Sequence, residues 1–174
     1  MQMSETVDLA NVDVDERLAK RLGYAAILTV GKSLRLGAVK GGDNRSVLLS
    51  TDKDAARAVR SGGIGLIFDN YAIDGKLIAE LEANDSIMYI SMRQIVSNYG
   101  FGRSRSISMA RKLLSYAMRK RVRVGFISFA DSVDCLCSKV QMIELAKLIG
   151  AGESYARTAL SQTNSELLRA LTEI

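Results

Sequence analysis

Near-continuous runs of apolar residues, punctuated by Gly, Asp and Asn, set the strongest limit on what this chain can become. They are ETVDLANV at 5–12, YAAILTV at 24–30, LRLGAV at 34–39, SVLLS at 46–50, IGLIF at 64–68, SIMYISM at 86–92 and VRVGFISF at 122–129. A strand that is apolar on both faces must be covered on both, the situation of a parallel sheet flanked by helices. The intervening segments read as those helices: DERLAKRLG, closing at Gly23, then DKDAARAVRSGG, IDGKLIAELEAND and SRSISMARKLLSYAMRKR. Strand followed by helix, repeated, predicts right-handed βαβ units. About seven such strands in 174 residues predict an α/β fold, a compact, distorted TIM-like barrel smaller than the roughly 250 residues usual for the eightfold form. The C-terminal third reads as all helix: KVQMIELAKLIG stops at Gly150, ESYARTAL follows, and Thr163 with Glu166 makes a capping-box pattern ahead of LLRALTEI. No linker or repeat interrupts the chain, so residues 1–174 are expected to form a single domain.

Charge is distributed far less evenly than apolarity. The net charge is +5, yet from Ser86 to Ala130 there is no acidic residue at all, while Arg93, Arg103, Arg105, Arg111, Lys112, Arg119, Lys120, Arg121 and Arg123 fall in that interval. The remainder carries 15 basic against 19 acidic residues, so the whole excess is local. A solvated helix face normally interleaves Glu and Asp; a purely cationic one creates a field that attracts polyanions. Arg105, Lys112 and Arg119 recur every seven residues and share one helix face, spread over about 21 Å. Ile107, Ala110, Leu114 and Ala117, with Met118 adjoining, form the opposite face, expected to pack on the sheet. The nine cations are therefore the predicted nucleic-acid-binding set. Tyr99 and Phe101, in NYGFGRSR, either stack on bases or plug a loop onto the fold.

Residue usage removes whole classes of chemistry. There is no histidine, which excludes Ser-His-Asp and Cys-His catalysis and His-ligated metals. Cys135 and Cys137 are the only cysteines, too few for a disulfide framework or a four-thiolate zinc site, and read as buried reduced thiols. VGKS at 30–33 lacks the upstream glycine of a phosphate loop, and GGIG at 62–65 precedes a strand where a dinucleotide fingerprint needs a helix. Asp43, Asp52, Asp69 and Asp131 each follow a predicted strand and would ring the mouth of a barrel; they read either as helix N-caps or as a carboxylate site able to hold Mg²⁺ through water. No run approaches the roughly 18 uncharged apolar residues of a membrane span, and MQMSETVDLA lacks a signal-peptide layout. A cytoplasmic protein without a membrane partner is expected.

SIMYISMRQIV, GFGRSRSISMARKLLSYA and VGFISFADSVDCLCSKVQMIELAKLIGAGESYARTALSQTNSELLRAL together resemble archaeal ribonuclease P protein component 3, the thirty-kilodalton-subunit family. The C-terminal portion carries most of the likeness: a strand ending in Ser-x-Ala, the Leu of DCLCS, LAKLIG, Ala156, ALS at 159–161 and LL at 167–168. The family usually has Arg where Cys137 stands, Pro near Lys139, Asp near Gln141 and Pro where Asn164 stands, so those positions cannot carry its roles here. It is related to a histidine-rich phosphoesterase barrel, and DLANVDVD has no histidine where that superfamily holds its metals. The resemblance implies a subunit of the ribonucleoprotein that removes the 5′ leader from precursor tRNA. Its RNA performs the hydrolysis with Mg²⁺, and the protein binds no cofactor or metal and supplies no catalytic residue. Implied partners are the ribonuclease P RNA, protein component 2 and the other subunits, with precursor tRNA met indirectly. The competing expectation is a carboxylate-dependent small-molecule enzyme using the aspartate ring, or a structural module whose basic face meets an acidic protein.

Overall fold

Residues 6–10, 12–29, 59–60 and 65–166 are described by the computed structural model. The predicted strands at 34–39 and 46–50, the VGKS turn, Asp43, Asp52 and the terminal LLRALTEI lie outside them. Within them the alternation is present as five strands, β1 (Val7–Ala10), β2 (Ala26–Thr29), β3 (Gly65–Phe68), β4 (Ile87–Ser91) and β5 (Arg123–Ile127). All pairings are parallel. Six α-helices accompany them: α1 (Glu16–Leu22), α2 (Gly75–Ala83), α3 (Arg93–Ser97), α4 (Gly100–Arg119), α5 (Lys139–Leu148) and α6 (Glu153–Thr158).

The expected seven-strand TIM-like barrel is not what forms. The strands divide into two sheets, β1–β2 and β3–β4–β5, with β4 central in the larger one. One break in the strand order lies where β1 faces β5; the other, between β2 and β3, spans residues outside the described ones. The Phe129 N–H reaches the Leu9 carbonyl at 2.8 Å, but polar side chains take over much of the remaining bonding. The Ser128 N–H donates to the Asp8 carboxylate at 2.8 Å, and the Ser128 hydroxyl donates to the Leu9 carbonyl at 3.2 Å. The Asn164 amide donates to the Val7 and Phe126 carbonyls at 2.7 and 3.0 Å. Buried backbone groups need partners, and here side chains supply them in place of a continuous ladder.

The expectation of strands buried on both faces holds for β1, β3, β4 and β5, whereas Ala26 and Leu28 of β2 are half-buried. Leu66, Phe68, Met88, Ile90, Val124 and Phe126 pack against α2, α4 and α5, while Ile67, Ile87, Tyr89 and Ile127 gather with Leu9 on the other face. Local chemistry fixes the helix ends. Asp15 caps α1 by accepting the Leu18 N–H, Asp74 caps α2 by accepting from Lys76 and Leu77, and Ser138 with Gln141 forms a capping box on α5. Gly23 and Gly150 close α1 and α5 with φ of +87° and +103°. The predicted Thr163–Glu166 capping box does not occur. Thr163 ends a π-helical turn, Ala159–Thr163, that continues from α6, and Asn164 stays helical; an N-cap needs extended backbone there.

Asp8 is wholly buried in this seam. One carboxylate oxygen serves Ser128, whereas Oδ2 and the nearby Tyr24 hydroxyl have no hydrogen-bond partner among the described residues. Burial raises the carboxyl pKa from 3.8 to about 6, only partly opposed by the Ser128 bonds. A raised carboxyl pKa means that the native state holds its proton more tightly than the unfolded chain. This group's stabilising contribution is therefore complete below about pH 4 and declines as pH rises to about 6, a difference on the order of 3 kcal/mol. Asp8→Asn, which keeps the acceptor for Ser128, is expected to raise the melting temperature at pH 7.5. The gap from wild type should close as pH falls to 4.5. Thermal melts across that range check this, and an Asp8→Asn protein less stable at every pH would show that the ionised carboxylate is the preferred form.

Candidate nucleic-acid interface

Helix α4 is built to be wet on one side and buried on the other. Ser106, Ala110, Leu113, Leu114 and Ala117 enter the core, with Ile107 half-buried, so the predicted orientation is present. Met118 departs from it and remains 44% exposed. At the other end, Tyr99 is extended and Gly100, at φ +52°, lets the chain turn into the helix. Tyr99 and Phe101 are 81% and 85% exposed. Of the two readings left open for these aromatics, plugging a loop is therefore ruled out.

The nine predicted cations separate into two groups. Four have work inside the protein. Arg93, 26% exposed, is clamped by Asp69 through Nε and Nη2 and by Asp131 through Nη1, at 2.8 and 3.1 Å, and lies over the Phe129 ring. Arg103 donates to the Asn98 and Val96 carbonyls and covers the Tyr99 ring at 5.3 Å, tying α3 to α4. Arg111 donates to the Leu148 carbonyl at the end of α5. Arg123 pairs with Glu166 at 2.8 Å, faces Asp85 at 3.1 Å and donates to the Asp85 carbonyl.

The other five, Arg105, Lys112, Arg119, Lys120 and Arg121, are exposed. Among the described residues none makes an ion pair; Arg119 lies 5.7 Å from the Tyr116 ring centroid. Arg111, Ser115, Met118 and Arg119 also border an open groove of about 510 Å³, floored by Leu114 and Ile149. The basic knot at 119–123 is a Schellman turn. The Val122 N–H reaches the Ala117 carbonyl and the Arg121 N–H reaches that of Met118, with Lys120 as the C-cap. Arg121 occupies the left-handed position at φ +57°, where glycine is the usual residue. It thus presents its charge from a conformation that costs an L-residue roughly 1 kcal/mol or more.

The carboxylate candidates meet a different fate. Asp69 and Asp131 lie past the C-terminal ends of β3 and β5, as expected, but neither is an N-cap. Both converge on Arg93, and Asp69 also accepts from the Ser91 hydroxyl at 2.7 Å. These bonds, that from Asp69 foremost, raise the Arg93 pKa above its ordinary value. Asp69 and Asp131 thus share one internal guanidinium. Among the described residues no cluster of three or more Cys, Asp or Glu side chains is placed to hold a metal. Cys137 is buried, with its thiol pKa pushed up to about 12 by burial, while Cys135 is only half-buried.

No family model matches the chain, and no curated protein matches it. The resemblance to ribonuclease P component 3 therefore rests on the quoted motifs alone.

Sequence reasoning could not divide the nine cations, because the carboxylates that claim Arg93 and Arg123 are distant in sequence. It also missed the Arg103–Tyr99 pair, whose four-residue spacing was a readable signal. The division has a direct consequence. Arg93→Ala leaves two carboxylates facing each other and is expected to destabilise the fold by roughly 1–3 kcal/mol, lowering the melting temperature by about 2–4 °C per kcal/mol. Its effect on the salt dependence of RNA binding should be nil. Arg121→Gly should do the reverse, raising stability by up to about 1 kcal/mol while removing one cation from the exposed turn after α4. Melting curves and RNA binding across a salt series, run on both variants, decide whether the two groups are distinct.

Proposed function

We propose that the chain is an RNA-binding subunit of ribonuclease P that acts on the catalytic RNA and cuts nothing alone. The observation that carries this reading is the set of five exposed cations on α4 and its terminal turn, within an interval that holds no carboxylate. Three of them extend over about 21 Å along the helix, a length suited to several phosphates. Their charge lowers the repulsion that opposes close packing of RNA helices, and the guanidinium forks bridge phosphate oxygens in a way a point charge does not. The motif resemblance supplies the remaining identity: protein component 2 and the other subunits as partners, precursor tRNA as the substrate of the assembled particle, and Mg²⁺ as the ion its RNA requires.

The test is reconstitution. Added to ribonuclease P RNA with component 2, the protein is expected to reduce the Mg²⁺ needed for 5′-leader cleavage, since its cations replace part of the ionic screening. Replacing Arg105, Lys112 and Arg119 together by Gln should leave the melting curve in place, weaken RNA binding and flatten its salt dependence. The flattening should be about 0.7 to 0.9 log units per decade for every phosphate that is no longer neutralised. Superimposable Mg²⁺ titrations with and without the protein would remove the ribonuclease P assignment; an unchanged salt slope would place the RNA surface elsewhere.

A further inference from the structure

Phe101 and the cationic stripe share one face of α4. Phe101 and Arg119 are 18 residues apart on α4, about five full turns at 3.6 residues per turn, and so point the same way. Arg105 and Lys112 lie within roughly 40° of that line. Ser108 and Ser115, both exposed, fill the gaps between cations with short hydroxyl side chains that let a backbone come close. Along the axis the face presents Phe101, then Arg105 about 6 Å on, then Lys112 and Arg119 at intervals of about 10 Å. Tyr99 precedes the helix, and its ring rests on Arg103, which stands about 200° round the helix from Phe101, so the aromatic of this face is Phe101.

Resting on the RNA-binding reading above, we propose that this face recognises the junction between paired and unpaired RNA. The stripe follows the phosphates of a helix, and Phe101 stacks on the base that continues unpaired from its end. The two halves demand different things of a ligand. Cations spread over about 21 Å need a regular array of phosphates, which a paired helix holds in place. An aromatic ring needs a base with a free face, and the interior of a duplex has none because each face is already stacked. A single strand offers open base faces but no fixed phosphate array, and a blunt end offers a single face closed by its pair; a base that continues unpaired from a helix end stands beside such an array with its faces open. An acidic protein surface would satisfy the cations without presenting a base to the ring.

The experiment uses the full chain with a short blunt RNA duplex, the same duplex bearing a short 5′ or 3′ single-stranded tail, and 2-aminopurine at the first tail position. The tailed duplex is expected to bind about tenfold more tightly than the blunt one, the scale of one to two stacked bases. Salt slopes should be equal, and 2-aminopurine emission should change on binding. Phe101→Ala should abolish the preference and the emission change while leaving the salt slope and the melting curve unaltered. Phe101→Tyr should preserve both. The Arg105, Lys112 and Arg119→Gln protein should lower the slope for blunt and tailed duplexes alike. Equal binding of the two RNAs by wild type, or a preference that survives Phe101→Ala, overturns the junction while RNA binding stands. Absence of any salt-dependent RNA binding overturns both readings. Displacement of RNA by polyglutamate that is sensitive to the aromatic changes, with tailed RNA indifferent to them, overturns the junction in favour of an acidic protein partner.

Discussion

The meeting of β1 with β5 is the constraint on which the rest depends. Two sheets that share no ladder are joined by the Asp8 carboxylate, the Ser128 hydroxyl and the Asn164 amide. Asn164 comes from the C-terminal helical segment and reaches backbone carbonyls on both strands, so the last part of the chain fastens the first. Lys139 adds to this from the start of α5 through its bond to the Thr6 hydroxyl at 2.8 Å. Such a seam is more demanding than a ladder. Asp8, Ser128 and Asn164 are buried, and removing one leaves a backbone donor or acceptor without its partner, a penalty of about 1–3 kcal/mol for each. The unpaired Asp8 Oδ2 and Tyr24 hydroxyl show where that demand is incompletely met.

With the seam fixed, the three-stranded sheet has a definite top and bottom, and the charged groups sort between them. At the C-terminal ends of the strands, where parallel α/β folds usually place their ligands, Arg93 sits between Asp69 and Asp131 above Phe129. Tyr71 and Phe129, with φ of +56° and +49°, bring strained backbone to the same end, and the Tyr71 hydroxyl is tied to the Ser91 carbonyl. Helix α4 starts near this end and descends to the opposite one, carrying its free cations down to the turn before β5.

How much of this was legible follows from the range over which each signal acts. The buried strands, the two-faced α4 and the glycine closures at Gly23 and Gly150 arise from neighbours within a few residues, and the sequence pattern reported them. Sheet closure is set by pairings between distant segments. Continuous apolar runs announce strands buried on both faces but do not say whether the outermost ones ladder together, and here Asp8 and Asn164 intervene. The Thr163–Glu166 pattern had the right residues for a cap, yet α6 runs on through it and Glu166 goes to Arg123. The cationic interval was visible as composition, but its division into structural and free charges was not. Asp69 and Arg93 are 24 residues apart, Arg93 and Asp131 are 38, and only folding brings them together.

Arg121 shows most directly how the two demands on α4 are reconciled. A Schellman turn asks for glycine at its left-handed position, and α5 obtains one in Gly150. The turn after α4 instead holds Arg121 there, and the turn after α2 holds Asp85 at φ +50°. The Asp85 side chain and carbonyl both face Arg123, so that residue gains protein partners to set against its strain. Arg121 has no such ion pair among the described residues. Its neighbours Val122 and Ala117 are buried and hold the turn closed, so the strain is borne by apolar packing. A charge maintained at the expense of backbone comfort, and turned outward, is most simply understood as serving something outside the fold. The same reasoning extends along the stripe, whose exposed cations answer no carboxylate of the helix that carries them.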